Sequence, residues 1–98
     1  MGRRKQVYKI TYPNGKIYVG MDLTGTLLYF GSPSAGAQIA ADLGLDGQGL
    51  EIAIRKEILW ESETATDAEV RAMEVRLIQE HRSNDPSIGY NRSPRFAG

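Results

Sequence analysis

The sequence predicts an α+β domain, in the order strand, strand, helix, strand, helix. Three observations carry that prediction. The turn signal "PNG" at Pro13–Gly15 separates two runs rich in β-branched and aromatic residues. Near the other end, apolar residues recur at helical spacing behind a capping-box pair, Thr66 and Glu69. The chain has 98 residues, 41% hydrophobic and 24% charged, which is the size and balance of one globular domain with a modest core.

Val7–Tyr12 and Ile17–Met21 form the expected hairpin, and its loop length sets the register. A two-residue Asn14-Gly15 loop pairs Tyr8 with Met21 and puts Tyr8 and Tyr18 on opposite faces. A three-residue loop with Gly15 in the left-handed conformation pairs Tyr12 with Lys16 and Tyr8 with Gly20. Both tyrosines then share a face, and the missing side chain of Gly20 leaves space beside Tyr8. Tyrosines also suit strands simply by packing the sheet, so the pattern alone does not make them functional.

"DLTGTLLYFGSPSAG" reads as a loop broken by Gly25, Gly31, Pro33 and Gly36, with an extended piece at Leu27–Phe30. Ala37–Leu43 is a short helix ended by Gly44. Ile52–Trp60 is the third strand, with a polar Arg-Lys-Glu centre. The last helix starts at the Thr66 cap and carries Val70, Met73, Leu77 and Ile78 on one stripe. Pro86 and Gly89 in "SNDPSIG" prevent its extension.

The composition narrows the function classes. No apolar run approaches the roughly 20 residues of a membrane helix, and no apolar stretch follows the basic start "MGRRKQVYK" as a signal peptide would require. Gln6 stands where a myristoylation motif needs Ser or Thr. There is no cysteine, hence no disulfide and no thiolate metal site, and the cytoplasm is the default compartment. Twelve basic and twelve acidic residues cancel, which does not mark a nucleic-acid binder. The basic residues are nonetheless clustered. Arg3, Arg4, Lys5, Lys9 and Lys16 lie near the start, Arg82, Arg92 and Arg95 near the end, and none lies between Ile17 and Ile54. Two basic termini make either one joint patch or a solvated head and tail.

At about 100° per residue, Glu74 falls inside the apolar stripe of the last helix, between Val70 and Ile78. A carboxylate there is paired, metal-bound or functional, because burying it alone is costly. The plainer alternative is an edge position paired with a strand lysine or arginine. His81 lies on the same side, about a turn further on. No second histidine or acid stands at metal-ligand spacing, so a multi-ligand cage is not supported.

Taken together, these pieces resemble the GIY-YIG nuclease domain of certain homing, restriction and repair endonucleases. "QVY" at Gln6–Tyr8 matches its first motif with Gln for Gly, and "YVG" at Tyr18–Gly20 matches the second with Val for Ile. "EVRLI" at Glu74–Ile78 fits the helix bearing the family's metal-binding glutamate, and "GYN" at Gly89–Asn91 fits its late asparagine. The resemblance runs from about Val7 to Asn91, with the middle poorly matched. It implies a small three-stranded antiparallel sheet flanked by helices, a single domain over 1–98 with its core at about 6–92, and hydrolysis of DNA phosphodiester bonds.

By the same resemblance, Glu74 holds one Mg²⁺ or Mn²⁺ ion against the scissile phosphate. Tyr8 or Tyr18 orients or deprotonates the attacking water, and Asn91 supports the site. Lys9, Lys16 and Arg71 are the candidates for contacting DNA phosphates. The resemblance also favours the three-residue loop. It departs at the family's catalytic arginine, which belongs to the first helix, where this sequence has no Lys or Arg. Three explanations follow: Arg55 or Arg71 supplies the charge, Arg55 being preferred because a strand holds it more rigidly; the domain is a catalytically inactive nucleic-acid-binding or protein-interaction module; or only the fold is shared. With zero net charge, DNA binding is expected to be weak and salt-sensitive unless a homodimer or a separate DNA-binding partner adds contacts.

Overall fold

The computed structural model describes residues 4–24 and 54–96. The expected helix at Ala37–Leu43, the extended piece at Leu27–Phe30, and Ile52 and Ala53 at the start of the expected third strand lie outside these. The described residues form a three-stranded antiparallel sheet and one helix, an α+β arrangement: β1 (Lys5–Thr11), β2 (Ile17–Asp22), β3 (Arg55–Ser62) and α1 (Asp67–His81). β1 is the central strand, in the order β2-β1-β3. No helix among the described residues is long and apolar enough to cross a membrane.

The hairpin closes through the three-residue loop. Tyr12 N–H donates to the Lys16 carbonyl at 2.9 Å, Gly15 N–H donates to the Tyr12 carbonyl at 2.9 Å, and Gly15 has φ of 85°. That left-handed conformation suits glycine, which has no Cβ to clash. Asn14 fastens the loop twice, accepting from Lys16 N–H through Oδ1 at 3.0 Å and donating from Nδ2 to the Tyr90 hydroxyl at 2.7 Å. The register that follows pairs Tyr8 with Gly20 and Ile10 with Tyr18.

Strand alternation then sorts the side chains onto two unlike faces. Val7 and Val19 pack against Val70 and Ile78 of α1, with Met21, Leu59, Trp60, Met73 and Leu77 around them. The opposite face is aromatic: Tyr8, Ile10, Tyr12 and Tyr90 are buried together, with Tyr18 against them. Tyr12 and Tyr90 meet edge to face with ring centres 5.5 Å apart.

α1 starts and stops where its sequence directs. Thr66 Oγ1 accepts from Glu69 N–H at 3.1 Å, and Glu69 Oε1 accepts from Thr66 N–H at 3.0 Å, which completes the capping box. Lys5 moors this end to β1, donating to the Ala65 carbonyl at 2.9 Å and to Asp67 at 2.7 Å. At the other end Arg82 turns left-handed with φ of 55° and closes the helix. Arg4 pairs with Glu61 and Glu63. Two cations of the basic head are therefore committed to neighbouring acids.

β3 runs two residues past the expected end at Trp60, to Ser62. It also carries an irregularity. Val7 faces Trp60 while Tyr8 faces Ile58, so Leu59 is the extra residue of a bulge. Beyond the bulge Ile10 faces Lys56 and Thr11 faces Arg55. An unbroken ladder would have set Glu57 opposite Ile10; the bulge puts Lys56 there instead.

Candidate active site

The outer edge of β2 organises the site. As an edge strand, it presents backbone groups that need partners outside the sheet. Ile17 is served by the segment after α1, with Ile17 N–H donating to the Ile88 carbonyl at 3.1 Å and Tyr90 N–H donating to the Ile17 carbonyl at 2.9 Å. Val19 is served by a side chain. Asn91 accepts from Val19 N–H and donates to the Val19 carbonyl, both at 2.8 Å, and so imitates a neighbouring strand. Met21, next along the edge, has its backbone N–H near the Glu74 carboxylate, close enough to favour the charged form slightly.

Gly20 sits between these two anchor points, with its Cα turned to the aromatic face. A Cβ built on it would lie 2.5 Å from the Tyr8 hydroxyl oxygen and 2.9 Å from Cε2 of Tyr18. The two tyrosines therefore flank the glycine, and Tyr8 occupies the space a side chain would need. Their exposures differ: Tyr8 is 1% exposed, whereas Tyr18 is half-buried. Consecutive residues of β2 thus neighbour groups far apart in sequence: Asn91 at Val19, Tyr8 and Tyr18 on the aromatic face at Gly20, and Glu74 from the α1 side at Met21. A cleft of about 380 Å³ adjoins Met21 and is lined, among the described residues, by Met21, Asp22, Leu23 and Thr24.

Glu74 is half-buried, as its place in the stripe requires. Burial raises its proton affinity above the usual carboxylate range, while the Arg71 guanidinium and the Met21 N–H act in the opposite direction. Arg71 is exposed on α1 beside it. His81 is half-buried in the last turn of α1. Among the described residues, no three His, Cys, Asp or Glu side chains gather as a metal-ligand set.

The other candidate cations are placed less favourably. Arg55 faces Thr11 on the α1 side of the sheet, the side away from the tyrosines, with Nε 3.6 Å from Glu57. The bulge phase of β3 and the pairing with Glu57 therefore keep this guanidinium from serving the tyrosine face. Lys9 is on the same side as Arg55 and pairs with Glu57 at 3.5 Å. Lys16 lies over the Tyr90 ring, its Nζ 5.3 Å from the centre.

Among the described residues, the cation that does reach Tyr8 is Lys56, which no sequence signal singles out. Its ammonium is 4.6 Å from the centre of the Tyr8 ring. Burial lowers its proton affinity, and Asp22 partly restores it. Asp22 is itself 2% exposed, with Oδ1 accepting from the Thr24 backbone N–H at 2.8 Å and from the Thr24 hydroxyl at 2.7 Å. Gln6 faces Asp22 across the ladder and is buried, and its Oε1 has no hydrogen-bond partner among the described residues. A run of charges such as Arg55-Lys56-Glu57 gives no sequence signal for which of them faces inward. That depends on the bulge.

No protein-family model matches the chain, and no curated protein or solved structure matches it either.

Proposed function

We propose that this chain is a metal-dependent endonuclease domain of the GIY-YIG type, hydrolysing phosphodiester bonds in DNA. One observation carries the proposal: consecutive residues of β2 neighbour Asn91 at Val19, the tyrosine pair at Gly20 and Glu74 at Met21. A half-buried carboxylate near a single backbone N–H keeps lone pairs for a cation. That donor set fits Mg²⁺ or Mn²⁺, ions that retain waters and use one or two carboxylates together with phosphate oxygens of the substrate. Glu74 would hold such an ion, whose charge, when it is bound, stabilises the negative charge gathering on the phosphate and on the departing oxygen.

The chain's own residues do the rest. Tyr18, the more exposed phenol, meets the attacking water, and Tyr8 fixes its surroundings from behind Gly20. The water oxygen forms a bond to phosphorus as its proton passes to the phenolate. The ester P–O bond breaks with its electron pair, and the departing oxygen takes a proton from solvent. A phenol with an ordinary pKa near 10 needs a cation nearby to accept a proton at neutral pH. Asn91 keeps Val19 in place and so fixes the geometry of the glycine beside it.

Plasmid nicking at low salt with Mg²⁺ or Mn²⁺, comparing wild type with Glu74→Ala, tests this reading. Nicking by wild type that disappears in the variant supports it. No nicking in either metal, or nicking that survives in Glu74→Ala, overturns it.

A second reading has one observation in its favour. Among the described residues, the guanidiniums of Arg55 and Arg71 stay off the tyrosine face, so a non-catalytic nucleic-acid-binding module on the same fold remains the competitor. A gel shift without cleavage is its signature. In either case the neutral chain calls for added contacts from a second copy or a separate DNA-binding partner.

A further inference from the structure

A phosphodiester carries a negative charge, and attack by water adds more in the transition state. A site that offers a carboxylate and two phenols therefore needs a fixed positive charge of its own. We infer that Lys56 is this charge: its ammonium binds the substrate phosphate on the tyrosine face. The inference deepens the nuclease reading and rests on it for the reaction, but not for the phosphate contact.

Four observations support it. Lys56 faces Ile10 in the β1–β3 ladder, diagonal to Tyr8 and on the same face. Its ammonium stands over the Tyr8 ring at 4.6 Å, which fixes a long side chain that would otherwise sample many rotamers. It is partly withdrawn from water, and in that setting a charge acts more strongly on an anion than a solvated surface lysine does. The bulge is what brings it here, since the uninterrupted register would have presented Glu57, an acid that would repel phosphate.

The charged groups around it are consistent with this role. On the aromatic face Asp22 favours the ammonium form of Lys56, and its carboxylate is already occupied by Thr24. Lys16 belongs to the Tyr90 end of that face. The sequence neighbours Arg55 and Glu57 pair with each other across the sheet from the tyrosines. The ring and the acid hold Lys56 ready, and phosphate displaces neither of them.

The test is binding of a short fluorescent DNA duplex, without divalent metal, over a series of salt concentrations. Wild type, Lys56→Met and Lys56→Arg are compared, with a thermal melt of each to confirm folding. Losing one phosphate contact lowers the slope of log affinity against log salt by about one, and Lys56→Arg restores it. Nicking by Lys56→Met falls about 10²–10³-fold, as for loss of one fixed transition-state charge, and Lys56→Arg recovers most of it.

The outcomes separate the two proposals. If wild type does not nick but the slope falls in Lys56→Met, the phosphate contact holds and the nuclease reading fails. If wild type nicks, Glu74→Ala does not, and Lys56→Met matches wild type in slope and rate, the inference about Lys56 is overturned while the nuclease stands. An absence of salt-dependent binding by wild type also overturns it.

Discussion

The Glu74 carboxylate lies near the backbone N–H of Met21 at the outer edge of β2 while half withdrawn from water. Burial dominates, so the folded protein holds the Glu74 proton more tightly than the unfolded chain does. Between the ordinary carboxylate range and the raised value, the folded state binds more protons and stability falls as pH rises. Glu74→Gln keeps a carbonyl oxygen for Met21 and removes the charge. Its melting temperature should exceed that of wild type at about pH 7 and approach it near about pH 4, where both forms are neutral. Nicking should be lost throughout. Melts across that pH range check the stability effect, and a variant less stable than wild type at neutral pH would show that burial is not the controlling cost.

Arg71 is the main charge opposing that burial. Arg71→Ala should therefore move the acidic limb of the nicking pH profile upward, because the site needs the carboxylate. Rates measured at a fixed metal concentration below saturation keep proton and ion in competition at Glu74 and so reveal the shift. A profile unchanged in position would remove Arg71 from the electrostatics of the site.

Gly20 has no room for a side chain, since a Cβ would meet both the Tyr8 hydroxyl and the Tyr18 ring. Tyr8 is buried and rigid, so Gly20→Ala should cost about 1–3 kcal/mol, as overpacking does. Removing the hydroxyl relieves the closest of these contacts. The double variant Gly20→Ala/Tyr8→Phe should then be more stable than the sum of the single effects allows. Urea denaturation of the four proteins measures the coupling, and strict additivity would argue that the strand simply shifts to make room.

Asn91 makes two hydrogen bonds to one strand residue. Asn91→Ala leaves both Val19 groups without that partner and should cost about 1–3 kcal/mol. Asn91→Asp retains the acceptor but turns an oxygen toward the Val19 carbonyl, so it should not rescue stability. Amide exchange at Val19 reports the change directly. Protection of that amide surviving in Asn91→Ala would mean another group takes over the edge.

Thr66→Ala offers a comparison far from the tyrosines. It removes the cap from α1 and should cost about 1 kcal/mol while leaving the DNA salt slope unchanged. A change in slope would show that the seating of α1 reaches the binding face.

Local chemistry explains why some of this was legible in the sequence. Gly15 and Asn14 encode the loop, the loop sets the register, and the register places Gly20 beside Tyr8. Thr66 and Glu69 encode the start of α1, and the stripe places Glu74 against the sheet. What could not be read depends on long-range pairing. The extra residue Leu59 sets the phase of β3 and brings Lys56 rather than Arg55 to the tyrosines, and nothing in "IRKEILW" marks a bulge. Burial of Asp22 and the edge contact of Asn91 likewise depend on partners remote in the chain.

Asn91 and Val19 are 72 residues apart, yet each completes the other's hydrogen bonding. During synthesis the hairpin emerges early and must wait, with the outer edge of β2 open, until the last of its partners has left the ribosome. The site proposed at that edge is thus coupled to completion of the domain. A half-made chain can display the tyrosines, but it has neither the carboxylate nor the amide that turns them into a site.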